Sequence, residues 1–166
     1  MLLFGGLALQ LRGVPLERPA GHRQDGDVYG TADELMALRD AVAEEIGRRP
    51  LVSPQGTAGR FTLISAGLAP IEFDQLPAPL LAQAESLPDN AAGKWYGLPV
   101  LLASPLTVHL IKLAYLDLLP AERMHPKHAD DVARFGGKEG LDAAISASEP
   151  HREFYEGLRA LITWRH

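Results

Sequence analysis

Apolar residues recur along this chain with two different periods, and the changes of period mark out its elements. Leu2, Leu3 and Phe4 form a short apolar run ending at Gly5-Gly6, the pattern of a buried strand that turns into a helix. That helix continues to about Leu11 and is stopped by Gly13 and Pro15. Residues 15–24 are polar and rich in turn formers, and extended character resumes from Asp25 to Tyr29. Thr31-Ala-Asp-Glu34 reads as a capping box, in which hydroxyl and carboxylate satisfy each other's free backbone N–H groups. Leu35, Leu38, Val42 and Ile46 give the following helix one apolar face, and Gly47 and Pro50 end it.

Further along, residues 53–60 (SPQGTAGR) read as a flexible loop. FTLIS and IEFDQL flank Gly67-Leu-Ala-Pro70 and predict an antiparallel hairpin. Residues 77–94, rich in proline and alanine, predict a loop with a short helix, and Leu98 to Leu102 a strand. Ser104-Pro105 is a favourable helix start, with serine as N-cap and proline where its missing N–H costs nothing. That helix is predicted to reach about Leu119. A second begins near Pro126 and ends at Gly136-Gly137, and two more follow near 139–147 and 150–163. No repeat or linker interrupts the pattern. The expectation is one compact α/β (α+β) domain: a small mixed or antiparallel core sheet with helices over 1–103, and a helical part over 104–166.

Composition narrows the chemistry. At 166 residues, 46% apolar and 22% charged, the chain suits a single globular domain. A net charge of −5 offers no broad basic footprint for nucleic acid, so any such contact is local. The absence of cysteine excludes disulfides, zinc-thiolate sites and thiol nucleophiles. The apolar N-terminus has no basic leader and no small-x-small cleavage site. The stretch from Leu98 to Leu119 is interrupted by Pro99, Pro105, His109, Lys112 and Asp117, which a membrane span does not tolerate. A cytoplasmic, non-membrane protein is expected.

Four constellations are able to carry chemistry, each beside a plainer reading. Asp25-Gly-Asp27, if extended, puts two carboxylates on one side with Cα atoms roughly 6.6 Å apart, a spacing that suits a hard cation. Asp-Gly is equally a strong turn signal. Glu72-Phe-Asp74 alternates acid with apolar residue, which fits a third metal-binding carboxylate or a solvated strand face. Lys112, among Leu110, Ile111 and Leu113, either snorkels to the surface or reaches a phosphate from inside a cleft. Arg123 and Lys127-His-Ala-Asp-Asp131 form a charged helix start, or a phosphate contact with an acid that positions Lys112. His125 and His128, with Asp131, also sketch a His/Asp metallohydrolase site, although the remaining ligands of a zinc helix are missing. Gly136-Gly-Lys138 lacks the spacing of a phosphate loop, and no Gly-x-Ser-x-Gly elbow occurs.

The order of these motifs resembles the polymerase-β-like nucleotidyltransferase superfamily, and within it the bacterial branch of abortive-infection-type nucleotidyltransferase toxins. A strand ends in Gly5-Gly6 before a helix and Gly13; an Asp-x-Asp strand follows, then an acid followed by Leu in Asp74-Gln-Leu76. A Ser-Pro helix bearing lysine and an Arg-x-x-x-Lys-His-x-x-Asp-Val run complete the series over about residues 2–135. The resemblance implies a metal-dependent transfer of an NMP from an NTP to an acceptor such as an RNA end, a protein hydroxyl or a small molecule. It implies Mg²⁺ or Mn²⁺ held by Asp25, Asp27 and Asp74, with Glu72 as the fallback third acid. Gly5 and Gly6 match the turn that holds the nucleotide phosphates, and Arg123 and Lys127 the basic positions facing them. Lys112 and Asp131 match the lysine and acid of the helical part. An antitoxin-like partner chain is also implied. Two departures stand out: Gly26 replaces an apolar residue, and the segment from Gly6 to Asp25 is long. Aligning instead on Arg23 makes Asp27 the first acid and Tyr29 the second, which predicts a catalytically inactive binding or antitoxin-type module.

Overall fold

The computed structural model describes residues 1–15, 25–56, 58–116, 133 and 137–165. Its strands form one mixed seven-stranded sheet, in the order β3-β4-β5-β2-β1-β7-β6. These are β1 (Leu2–Phe4), β2 (Gly26–Gly30), β3 (Leu51–Pro54), β4 (Arg60–Ile64), β5 (Ile71–Gln75), β6 (Ala91–Trp95) and β7 (Leu98–Leu102). Pairing is antiparallel except between β2 and β5 and between β1 and β7. The helices are α1 (Gly5–Leu11), α2 (Ala32–Ile46), α3 (Ala78–Ser86), α4 (Pro105–Leu116), α5 (Gly137–Ala147) and α6 (Glu149–Arg165). Among the described residues no helix is long and apolar enough to cross a membrane.

Alternation along the strands divides the core in two. Leu3, Val28, Ile71, Phe73, Leu63, Val100 and Leu102 face one way, onto Leu35, Leu38 and Val42 of α2. Leu2 and Tyr29 face the other way, onto Leu80 and Leu81 of α3, Val108 and Ile111 of α4, and Phe154, Leu158 and Ile162 of α6. The C-terminal helices therefore cover the sheet face that also receives the odd-numbered side chains of β2.

Local signals account for both ends of α2 and the start of α4. In α2 the Thr31 hydroxyl accepts from the Glu34 N–H, the Glu34 carboxylate accepts from the Thr31 N–H at 2.8 Å, and Gly47 closes the helix at φ 72°. In α4 the Ser104 hydroxyl accepts from the Thr107 N–H at 2.9 Å. The predicted hairpin forms between β4 and β5, with Arg60 opposite Asp74 and Thr62 opposite Glu72. Two strands correct the expected loops. Leu51–Pro54 pairs as β3 on the edge of the sheet, and Ala91–Trp95 pairs as β6 with β7. Gly93 permits the latter, because a Cβ there would lie 2.8 Å from Leu102 side-chain atoms. The helix expected from Pro126 to Gly136-Gly137 lies largely outside the described residues, as does the end of the α4 helix beyond Leu116.

One polar network ties α6 to the sheet. Asp89 accepts from the Ser104 hydroxyl and lies 2.9 Å from Nε2 of the buried His151, whose Nδ1 meets the Ser148 hydroxyl at 2.7 Å. Burial pushes the Asp89 carboxyl up, but the hydrogen bonds from Ser104 and His151 outweigh it and hold the group below its ordinary 3.8. A depressed carboxyl stabilises the fold fully above its ordinary range, and that contribution is lost as pH falls through the lowered value. The stability gap between wild type and Asp89→Asn is therefore expected to be widest near neutral pH and to close below about pH 4. Urea melts between pH 7 and 3 measure this; a gap that does not narrow in acid refutes it.

Candidate functional site

The site begins where β1 runs into α1. Gly5 has φ +71°, a conformation that glycine adopts without steric cost. A second constraint falls on the same residue. β1 and β2 pair with Phe4 opposite Asp27, and a Cβ on Gly5 would lie 2.1 Å from the Asp27 Oδ2. The carboxylate of Asp27 is thus seated in the notch that the missing side chain leaves, with Gly6 following on α1.

Asp25-Gly26 is not a turn. Gly26 belongs to β2, pairs with Ile71 and donates its N–H to the Pro70 carbonyl at 3.2 Å. Extended backbone places Asp27 and Tyr29 on one face of β2, and Asp25 immediately precedes the strand. Asp25 and Asp27 are half-buried, whereas Tyr29 is fully buried. Gly26 faces the other way, where a Cβ would meet the Trp95 ring at 2.5 and 2.8 Å. The indole takes the space that an apolar side chain would fill, which explains glycine between the two acids.

Strand β5 adds the next carboxylates. The parallel register sets Glu72 beside Asp27 and Asp74 beside Tyr29. Antiparallel β4 then sets Arg60 beside Asp74. The Arg60 Nε lies 3.6 Å from Asp74 and its terminal nitrogen 4.0 Å from Glu72, so one guanidinium spans both acids. Asp74 is buried, and it also accepts from the Tyr115 hydroxyl of α4 at 3.2 Å. Burial, reinforced by the Asp74 charge, pushes the Tyr115 phenol up to about 12. Burial, with Tyr115 and Asp74 beside it, raises Tyr29 well above its ordinary value. Both phenols are therefore protonated at neutral pH, and neither serves as a base there. Tyr29 also stacks on Phe4, with ring centroids 4.2 Å apart.

Lys112 sits three residues before Tyr115 on α4, a spacing that puts both on one side of the helix, and it is half-buried. Of the residues singled out from sequence, Gly5, Gly6, Asp25, Asp27, Glu72, Asp74 and Lys112 thus lie on elements that meet at this sheet face. Arg23, Arg123, Lys127 and Asp131, with His125 and His128, lie outside the described residues. Sequence reasoning did not single out Arg60 or Tyr115. Arg60 was within reach, because extending the predicted hairpin by one pair puts it opposite Asp74.

Among the described residues no group of three or more His, Cys, Asp or Glu side chains is arranged to hold a metal ion. The donor set nonetheless suits Mg²⁺ or Mn²⁺ of one particular kind. Magnesium is commonly held by one or two carboxylates together with a substrate's phosphates, not by an all-protein cage. Asp27, held against the glycine bend, and Asp25, just ahead of β2, are the two carboxylates able to act as such donors. Asp74 fits less well, since Arg60 and Tyr115 already occupy it. A scan of the sequence against protein-family models gives no match, and a comparison with curated proteins gives none.

The contact between Gly26 and Trp95 is open to test. Gly26→Ala is expected to cost about 1–3 kcal/mol of stability through overpacking. Replacing the indole in the same chain, with Trp95→Leu, is expected to recover at least about 1 kcal/mol as a coupling term in a urea double-mutant cycle. Strict additivity of the two substitutions contradicts the packing account.

Proposed function

We propose that this chain is a metal-dependent nucleotidyltransferase, moving a nucleoside monophosphate from a nucleoside triphosphate to a hydroxyl acceptor in the cytoplasm. The observation that carries this reading is the Asp27 carboxylate set into the notch of Gly5, with Asp25 two residues before it, just ahead of the same strand. Acids and glycine bend then lie together, where Asp25 and Asp27 would hold a cation beside the phosphates of a triphosphate. Bound there, Mg²⁺ supplies charge neutralisation and Lewis-acid polarisation of the α-phosphate.

The chain's own residues divide the remaining work. Asp25 and Asp27 provide the cation's protein oxygens. Glu72, on an exposed position beside Asp27, takes the proton of the attacking hydroxyl. The new bond joins the acceptor oxygen to the α-phosphorus, the bond to the β-phosphate breaks, and pyrophosphate leaves. Lys112 offsets charge that develops on the phosphates, an electrostatic role that requires only position. Arg123, Lys127 and Asp131 are assigned to phosphate binding and to lysine positioning by resemblance alone. The acceptor is an RNA end, a protein hydroxyl or a small molecule, and an antitoxin-type partner chain belongs to the same reading.

One observation favours a second reading. Arg60 spans Glu72 and Asp74, and the residue beside Asp74 is Tyr29, not an acid. This arrangement suits a nucleotidyltransferase-like fold retained as a catalytically inactive binding module. Incubation with each labelled NTP, Mg²⁺, and total cellular RNA or protein separates the two. Transfer is expected in wild type, with at least a ~100-fold loss in Asp25→Ala and in Asp27→Ala. Label that persists in both variants refutes the metal assignment. Absence of both transfer and Mg²⁺-dependent NTP binding by calorimetry supports the inactive module.

A further inference from the structure

We propose that Arg60 is an internal counter-ion that makes metal binding at this face conditional on the nucleotide's phosphates. The inference rests on the reading above and extends it to a residue that no motif marks. Arg60 opens β4 and shares its sheet face with Asp74, Thr62 and Glu72 by register. Its side chain is 35% exposed, and the guanidinium stands 3.6 Å from Asp74 and 4.0 Å from Glu72. Those separations are ion-pair distances longer than the usual 2.7–2.9 Å of a charge-assisted hydrogen bond. The cation is therefore held by field more than by fixed geometry, and it is able to turn toward another anion.

Glu72 is the register neighbour of Asp27. A divalent cation arriving at Asp25 and Asp27 alone meets the positive field of Arg60 along the same row of carboxylates, and the two repel. A triphosphate removes the conflict, because its oxygens ligate the cation and also offer Arg60 a new planar, bidentate partner. Metal and triphosphate then bind each other's complexes better than they bind the empty face. Such a coupling is reciprocal by thermodynamic necessity. Asp74 does not become an orphan when Arg60 turns, since the Tyr115 hydroxyl continues to donate to it.

The test is titration of Mn²⁺, followed by electron paramagnetic resonance, into the full chain with and without inorganic tripolyphosphate. Wild type is expected to bind Mn²⁺ weakly alone and more tightly with tripolyphosphate. Arg60→Gln is expected to bind Mn²⁺ alone about tenfold more tightly and to lose most of the tripolyphosphate gain. Arg60→Lys keeps a cation but not the two-acid fork and falls between. Circular dichroism checks that each variant is folded, and if Arg60→Gln is not, Arg60→Lys decides. Mn²⁺ affinity equal to wild type in the folded variants overturns the counter-ion role while leaving the nucleotidyl-transfer reading intact. Failure of wild type and both variants to bind Mn²⁺ even with tripolyphosphate overturns that reading, and the counter-ion role falls with it.

Discussion

The arrangement of this face depends on a steric constraint at one residue. Gly5 carries no Cβ, and the Asp27 carboxylate lies where one would be. A side chain at Gly5 fails twice over, first by its positive φ and then by collision with an oxygen atom. The bend, the start of α1 and the placement of the acid are thus a single event. β1 is an interior strand, hydrogen-bonded to β2 on one side and β7 on the other.

From that anchor the rest of the face follows by register. Antiparallel pairing with β1 aims Asp27, and extended backbone sets Tyr29 on the same side. Parallel pairing with β5 lines up Glu72 and Asp74, and the next strand brings in Arg60. The helical part closes the same face, with Tyr115 reaching down to Asp74 and apolar residues of α4 and α6 packing on Leu2 and Tyr29. The result is a row half-buried at Asp25 and Asp27 and fully buried at Tyr29.

The elements most legible in the sequence were those announced by local chemistry. The Thr31–Glu34 box and the Ser104-Pro105 start each act within one helical turn, so no tertiary information was needed to read them. The β4–β5 hairpin was legible from alternation across a glycine and proline turn. Strands β3 and β6 were not. Ser53-Pro-Gln-Gly reads as loop, and Ala91-Ala-Gly-Lys-Trp95 has no β-branched residue; each is a strand because a neighbour pairs with it. The same divide runs through the site. Acid spacing and the glycine bend were readable as motifs. Arg60 and Tyr115 act only across a register or a helix-to-sheet contact, which no linear spacing encodes.

Trp95 lends the molecule a property of a different kind. Its ring lies against Gly26, on the sheet face opposite the carboxylates and separated from them by the thickness of one backbone. The chain has two tryptophans, and the other, Trp164, is 77% exposed near the end of α6. Nature has therefore set an ultraviolet chromophore directly behind the acidic edge. With the outlying tryptophan replaced, its emission isolates that one strip of backbone and registers any shift of β2 without an attached dye.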